Sequence, residues 1–205
     1  MNLVKLRSIL SESHDKVPFI LLTLTCNVTG GQPVSMENIK AVKLLADEYK
    51  KPILIDSARF AETAWFIQDR EPGYEGIGIR EITRQIYNLA DAMLMSAKKD
   101  GLVNIGGFMA TRHQTWFAAA SEYVILFEGF TTYGGLAGRD LSALAIGLTE
   151  VISLDYLSTR IRQIERFGRT LRDANIPIQH PVGGHAILID AGAFLPHVPR
   201  EEYIA

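Results

Sequence analysis

Five side chains able to do chemistry stand just beyond apolar runs in this sequence. Asp56 directly follows Ile53-Leu54-Ile55, with Arg59 on the next turn, Ser96 and Lys99 close the run Ala92–Met95, and Asn27 follows Phe19–Thr25. A carboxylate at the edge of a core needs a cation or hydrogen-bond donors. A protonated ring nitrogen would satisfy Asp56. So would a helix N-terminus, because Asp56 also precedes a helical pattern, and residue type alone does not separate a ligand from a cap. Arg59 would either donate to an anionic phenolic oxygen or pair with Asp56. Lys98 and Lys99 are adjacent cations that raise each other's free energy, which favours one neutral, nucleophilic amine. A solvated surface pair of lysines has the same local pattern. Ser96 offers its hydroxyl to a phosphate oxygen or merely to a turn.

The elements that would position these groups alternate between short apolar runs and longer amphipathic ones, which predicts an α/β fold with a mainly parallel sheet. Strands are expected at Phe19–Thr25, Ile53–Ile55, Ala92–Met95 and Ile105–Ala110. Ser35 reads as the N-cap of a helix carrying Ile39, Val42, Leu45 and Ala46 to about Lys50. Further helices are expected over Phe60–Asp69 and Ile79–Leu89. Thr115–Phe127 reads as a helix passing into a short strand, and Leu141–Ala174 as the longest helical stretch, bent near Leu154. Ile176–Ile178 and Ala186–Ile189 are strand candidates around Gly183-Gly184. Ligands of open α/β sheets collect beyond the carboxyl ends of the strands, which is where Asn27, Asp56, Ser96 and Lys99 would converge. The loop Glu128–Arg139 is rich in glycine and includes Tyr133. Such a loop brings backbone N–H groups close to a ligand or a neighbouring subunit, or simply connects two elements.

Composition narrows the function classes. With 205 residues, 47% of them hydrophobic, the chain can bury a sizeable core. A formal net charge of −2 supplies no basic field for nucleic acid or an acidic membrane. The longest apolar stretch near the start, Val17–Leu24, is too short to span a bilayer and contains Pro18. No signal peptide is read, and with Cys26 as the single cysteine a cytoplasmic location is expected. His14, His113, His180, His185 and His197 lack metal-ligand spacing, and His185 reads as structural. No phosphate-binding fingerprint follows Gly183-Gly184, so a dinucleotide fold has no support.

Several motifs together resemble the β-eliminating lyases, the family of tryptophanase and tyrosine phenol-lyase. They are Asn27–Ser35, Asp56–Glu62, Met95–Asp100, Glu128-Gly129-Phe130 and Gly183–Ala186, in the family's order and at its spacings, within a match from about Val17 to Tyr203. The resemblance implies a fold type I pyridoxal-phosphate-dependent large domain, a three-layer α/β/α structure, here incomplete. Residues 1–150 would be part of the cofactor-binding domain, and residues 151–205 a connecting helix with the start of a small C-terminal domain. By the same resemblance Lys99 is the Schiff-base lysine and the base at the substrate's α-carbon. Asp56 partners the pyridine nitrogen, Arg59 and Asn27 lie by the phenolic oxygen, and Ser96 contacts the phosphate. The Asn104 carbonyl binds a monovalent cation, potassium. The implied reaction converts L-tryptophan to indole, pyruvate and ammonium in a homotetramer built as a dimer of dimers. Asp56–Phe60 and Ser96–Lys99 favour tryptophan, whereas Leu136–Asp140 and Val103-Asn104 lean toward tyrosine. The chain has no counterpart to the family's phosphate loop, stacking aromatic, proton-donating tyrosine or carboxylate-binding arginine. Weak cofactor binding and little turnover are therefore expected of it alone, and a non-catalytic remnant acting as an oligomerisation module is the rival reading.

Overall fold

The computed structural model describes residues 1–203. Four short strands, β1 (Ile20–Thr23), β2 (Ile53–Asp56), β3 (Ala92–Ser96) and β4 (Gly107–Thr111), form one sheet in the order β1-β2-β3-β4. The first three are parallel, so their carboxyl ends share one edge, and β4 runs antiparallel to β3. Helices flank this sheet in a three-layer α/β/α arrangement; the alternating pattern had predicted the α/β class with a mainly parallel sheet, and the motif resemblance the three layers.

Apolar spacing decides which helix faces are buried. Helix α1 (Leu3–Glu12) is capped by the Asn2 side chain and turns Leu6 and Leu10 inward; the sequence reading had not anticipated it. In α2 (Met36–Glu48) the Ser35 hydroxyl accepts the Asn38 N–H at 3.1 Å, and Ile39, Val42, Leu45 and Ala46 are buried. Helix α3 (Phe60–Arg70) is buried on all sides from Phe60 to Ile67, which makes it the central helix of the core. Against it pack α4 (Ile79–Asn88), through Ile79, Ile82 and Ile86, and α7 (Leu154–Asp173), through Leu157 and Ile161.

Elsewhere the fold departs from the sequence reading. The stretch expected to pass from helix to strand is helical throughout as α5 (Gln114–Phe127). Its apolar end Val124–Phe127 stays in the helix, which satisfies its backbone internally. The long helical stretch does bend where expected, near Leu154, and is there divided into two helices, α6 (Gly138–Glu150) and α7, meeting at 78°. The two strands expected around Gly183-Gly184 reduce to one antiparallel bridge between Ile178 and Ile189, because Pro177 and Pro181 cannot donate to a ladder. A short helix, α8 (Ala191–Phe194), follows, capped by Asp190. Among the described residues no single helix is long and apolar enough to cross a membrane.

Candidate active site at the strand ends

Asp56 is the last residue of β2, in register with Thr23 of β1 and Leu94 of β3, and is half-buried. One carboxylate oxygen accepts the Ala58 N–H at 3.1 Å. The N-cap of α3 is Arg59, whose side chain makes no capping bond, so Asp56 is not the cap that its position also allowed. Arg59 donates its backbone N–H to the Leu24 carbonyl at 3.0 Å, which fixes the start of α3 against the chain leaving β1. Among the described residues Asp56 and Arg59 form no ion pair with each other or with Lys99.

Of the two adjacent lysines, Lys98 points to solvent and Lys99 is half-buried. The Lys99 ammonium donates to the Ser96 hydroxyl at 2.7 Å. The turn carrying Lys99 is tight: a Cβ on Gly101 would sit 2.4 Å from the Ala97 carbonyl oxygen. It is also stapled to α3, because Asp100 donates its N–H to the Ala58 carbonyl at 3.1 Å while its Oδ2 accepts the Ala61 N–H at 2.8 Å. Asp100 thus supplies, from a distant loop, the cap that Arg59 lacks.

Asn27 is exposed at the start of a short 3-10 turn beyond β1, and its Oδ1 meets His185 Nε2 at 2.7 Å. Asn104 is exposed in the loop between β3 and β4 and makes no hydrogen bond with the other candidate residues. Tyr133 lines an open groove of about 480 Å³ between β4, α5 and α6, and none of the five strand-end candidates lines it.

A buried charge network behind these residues escaped the sequence reading. Glu62 and Asp100 are both 0% exposed. Glu62 Oε2 accepts the Thr25 hydroxyl at 2.7 Å and meets His185 Nδ1 at 2.7 Å. Its Oε1 lies 2.9 Å from Arg160 Nη1 of α7, and Arg160 Nη2 lies 3.7 Å from Asp100 Oδ1. Burial pushes the Asp100 carboxyl up to about 7, against the pull of Arg160 and the Ala61 N–H, with Glu62 adding to the rise. Burial also pushes the Tyr87 phenol up; the nearby Ser57 side chain opposes this, and the Asp100 and Asp56 carboxylates reinforce it. One available signal was Glu62 itself, a lone carboxylate inside the apolar run Phe60–Ile67.

The loop bearing His185 docks by close glycine contacts. A Cβ on Gly183 would lie 2.0 Å from the Gly30 carbonyl oxygen, and one on Gly184 would lie 2.6 Å from Glu62 Oε2. The Gly184 N–H donates to the Gly31 carbonyl at 3.0 Å, and Gln32 Nε2 donates to the Pro181 carbonyl at 2.6 Å. His185 is therefore structural in its surroundings yet bonded directly to a candidate site residue.

The family described as β-eliminating lyase matches residues 1–196. A probable β-eliminating lyase of Trichomonas vaginalis is 55% identical over all 205 residues, which correspond to 45% of that protein. A tryptophanase of Salinibacter ruber is 49% identical over the whole chain and 44% of its own length. A tyrosine phenol-lyase of Intrasporangium calvum is 47% identical over 98% of this chain and 43% of its own. The chain thus spans less than half the length of these relatives. A solved structure of a putative aromatic amino acid β-eliminating lyase/threonine aldolase from Exiguobacterium shares the fold, with a TM-score of 0.62 at 16% identity over 85% of this chain and 45% of its own. Sequence match and fold together place this chain in the β-eliminating lyase family.

Proposed function

We propose that this chain forms the cofactor-bearing part of a pyridoxal-phosphate-dependent carbon–carbon lyase that splits L-tryptophan into indole, pyruvate and ammonium. The observation that carries this reading is the set of strand-end charges. Asp56, Arg59 and Lys99 lie half-buried at one sheet edge, and among the described residues none of them is ion-paired to another. Family membership implies pyridoxal phosphate, and this donor set fits it. A carboxylate suits a protonated ring nitrogen, a guanidinium suits a phenolate, an amine suits an aldehyde, and a hydroxyl suits a phosphate oxygen. When bound, the cofactor supplies an electron sink for the charge left at the substrate's α-carbon.

The chain's own residues would divide the remaining work. Asp56, oriented by the Ala58 N–H, would hold the ring nitrogen. Arg59 and Asn27 would hold the phenolic oxygen, and Ser96, whose hydroxyl accepts from Lys99 in this structure, would donate to the phosphate. Lys99 Nζ, as a free amine, would take the proton from the substrate's α-carbon. The Asn104 backbone carbonyl would contribute to a potassium site. Residues 1–150 would be part of the cofactor-binding domain, residues 151–205 would lead toward a small C-terminal domain, and the complete protein would act as a cytoplasmic homotetramer.

Release of phenol from tyrosine is the second reading. It is favoured by the similar identities of the tryptophanase and tyrosine phenol-lyase relatives, 49% and 47%. Borohydride reduction in the presence of pyridoxal phosphate, followed by peptide mapping, tests the site. Label on Lys99 is expected, and label on Lys98 or elsewhere with none on Lys99 would overturn it. Indole against phenol release by the complete enzyme tests the substrate.

A further inference from the structure

We infer that Arg160 is a positioning residue that couples helix α7 to both arms of the candidate site, to the Lys99 turn through Asp100 and to Asn27 through Glu62 and His185. The inference rests on the reading of Lys99 and Asn27 given above. Two carboxylates with no solvent exposure cannot both stay ionised without a compensating charge. Arg160 supplies it, with Nη1 at 2.9 Å from Glu62 and Nη2 at 3.7 Å from Asp100. Each carboxylate gives its other oxygen to the site side. Asp100 Oδ2 holds the Ala61 N–H beside the Lys99 turn, and Glu62 Oε2 holds Thr25 and His185, whose far nitrogen meets Asn27. One guanidinium therefore sits at the fork of two chains of contacts.

The fork is held by charge more than by well-formed hydrogen bonds. Arg160 Nε and Nη2, Glu62 Oε1 and Asp100 Oδ1 are buried without a hydrogen bond of good geometry among the described residues. Small displacements of α7 would therefore change the balance between the two carboxylates. The other groups facing Asp100 are Glu62 and Arg59 of α3 and Tyr87 of α4. Without Arg160, Asp100 loses the guanidinium 3.7 Å from its Oδ1 and keeps Glu62 against it, so it grips Ala61 less firmly. Helix α7 itself remains docked, because Leu157 and Ile161 on either side of Arg160 are fully buried in the core. Methionine at 160 keeps an apolar stem in the same place.

The test uses the 205-residue chain with Arg160→Met, Arg160→Lys and Asp100→Asn. Two quantities are read: the rate of borohydride-trapped labelling of Lys99 relative to Lys98, and hydrogen exchange at the Ala61 amide. Arg160→Met is expected to slow Lys99 labelling and speed Ala61 exchange by about tenfold each, the coupling typical of residues sharing one charge network. Arg160→Lys, which keeps the charge, should recover part of both. Unchanged Lys99 labelling and unchanged Ala61 exchange in a folded Arg160→Met chain would overturn the inference. Should circular dichroism show Arg160→Met unfolded, Arg160→Met/Asp100→Asn decides. Equality of a folded double variant with Asp100→Asn alone supports coupling through Asp100, and a further loss of Lys99 labelling beyond that of Asp100→Asn overturns it. If Lys99 of the unsubstituted chain is never labelled, the cofactor reading fails, while Ala61 exchange still decides the role of Arg160.

Discussion

Asp100 and Asp91 show how surroundings pull two carboxyls in opposite directions. Burial raises Asp100 from the usual 3.8 to about 7. The folded state then binds its proton more tightly than the unfolded state, so this contribution to stability is complete below 3.8 and is lost as pH rises through about 7. At Asp91 burial acts upward, but the Ile53 N–H and the His113 ring, with the charges of His113 and Lys43, outweigh it and hold the carboxyl below 3.8. That contribution is present above 3.8 and is lost as pH falls through the lowered value. Urea midpoints followed by tryptophan fluorescence should therefore fall between about pH 5 and pH 8, and Asp100→Asn should flatten that fall. Glu62→Gln removes the buried partner of Arg160 and His185, and a loss of about 3–5 kcal/mol is expected in the same urea titrations.

Helices seat the site by close approach of backbone to backbone. Gly147 on α6 faces the Lys99 turn so closely that a Cβ there would lie 2.0 Å from the Gly101 carbonyl oxygen. Gly147→Ala should cost about 1–3 kcal/mol by overpacking and should slow Lys99 labelling as the turn is displaced. Gly138→Ala, on the same helix with nothing within 4 Å of its added Cβ, is the control and should leave labelling unchanged. Capping is a milder contribution: Ser35→Ala deletes the bond to the Asn38 N–H and should cost α2 about 1 kcal/mol by chemical denaturation.

Across the whole molecule, protection is unevenly distributed. Strand β2 is paired on both sides and its Ile53 and Ile55 are buried, whereas α5 has no buried residue. Phe117, Ile125, Leu126 and Phe127 all lie exposed on α5. Native-state hydrogen exchange should accordingly find the β2 amides among the slowest and the α5 amides the fastest of any long helix. Equal protection of α5 and β2 would contradict the packing described above.

Local pattern was enough to read the α/β class, the strand ends and the residues gathered there, because side-chain periodicity and breakers such as Pro52 act within a few residues. The order and spacing of short motifs was likewise enough to read the family. Local pattern did not say which of two lysines turns inward, since Lys98 and Lys99 differ only in the direction the turn after β3 gives them; only the motif resemblance singled out Lys99. Nor did local pattern show the cap of α3, which comes from Asp100 rather than from Asp56 or Arg59 beside it. The linkage of Arg160, Glu62, Asp100 and His185 joins segments far apart along the chain, and its partners exist only once α7 and the glycine loop pack onto α3. Sequence alone determined which chemical groups stand at the sheet edge. Tertiary structure decided which of them are buried, what holds them and which charges oppose them, because burial and charge pairing depend on distances that only the packed chain sets.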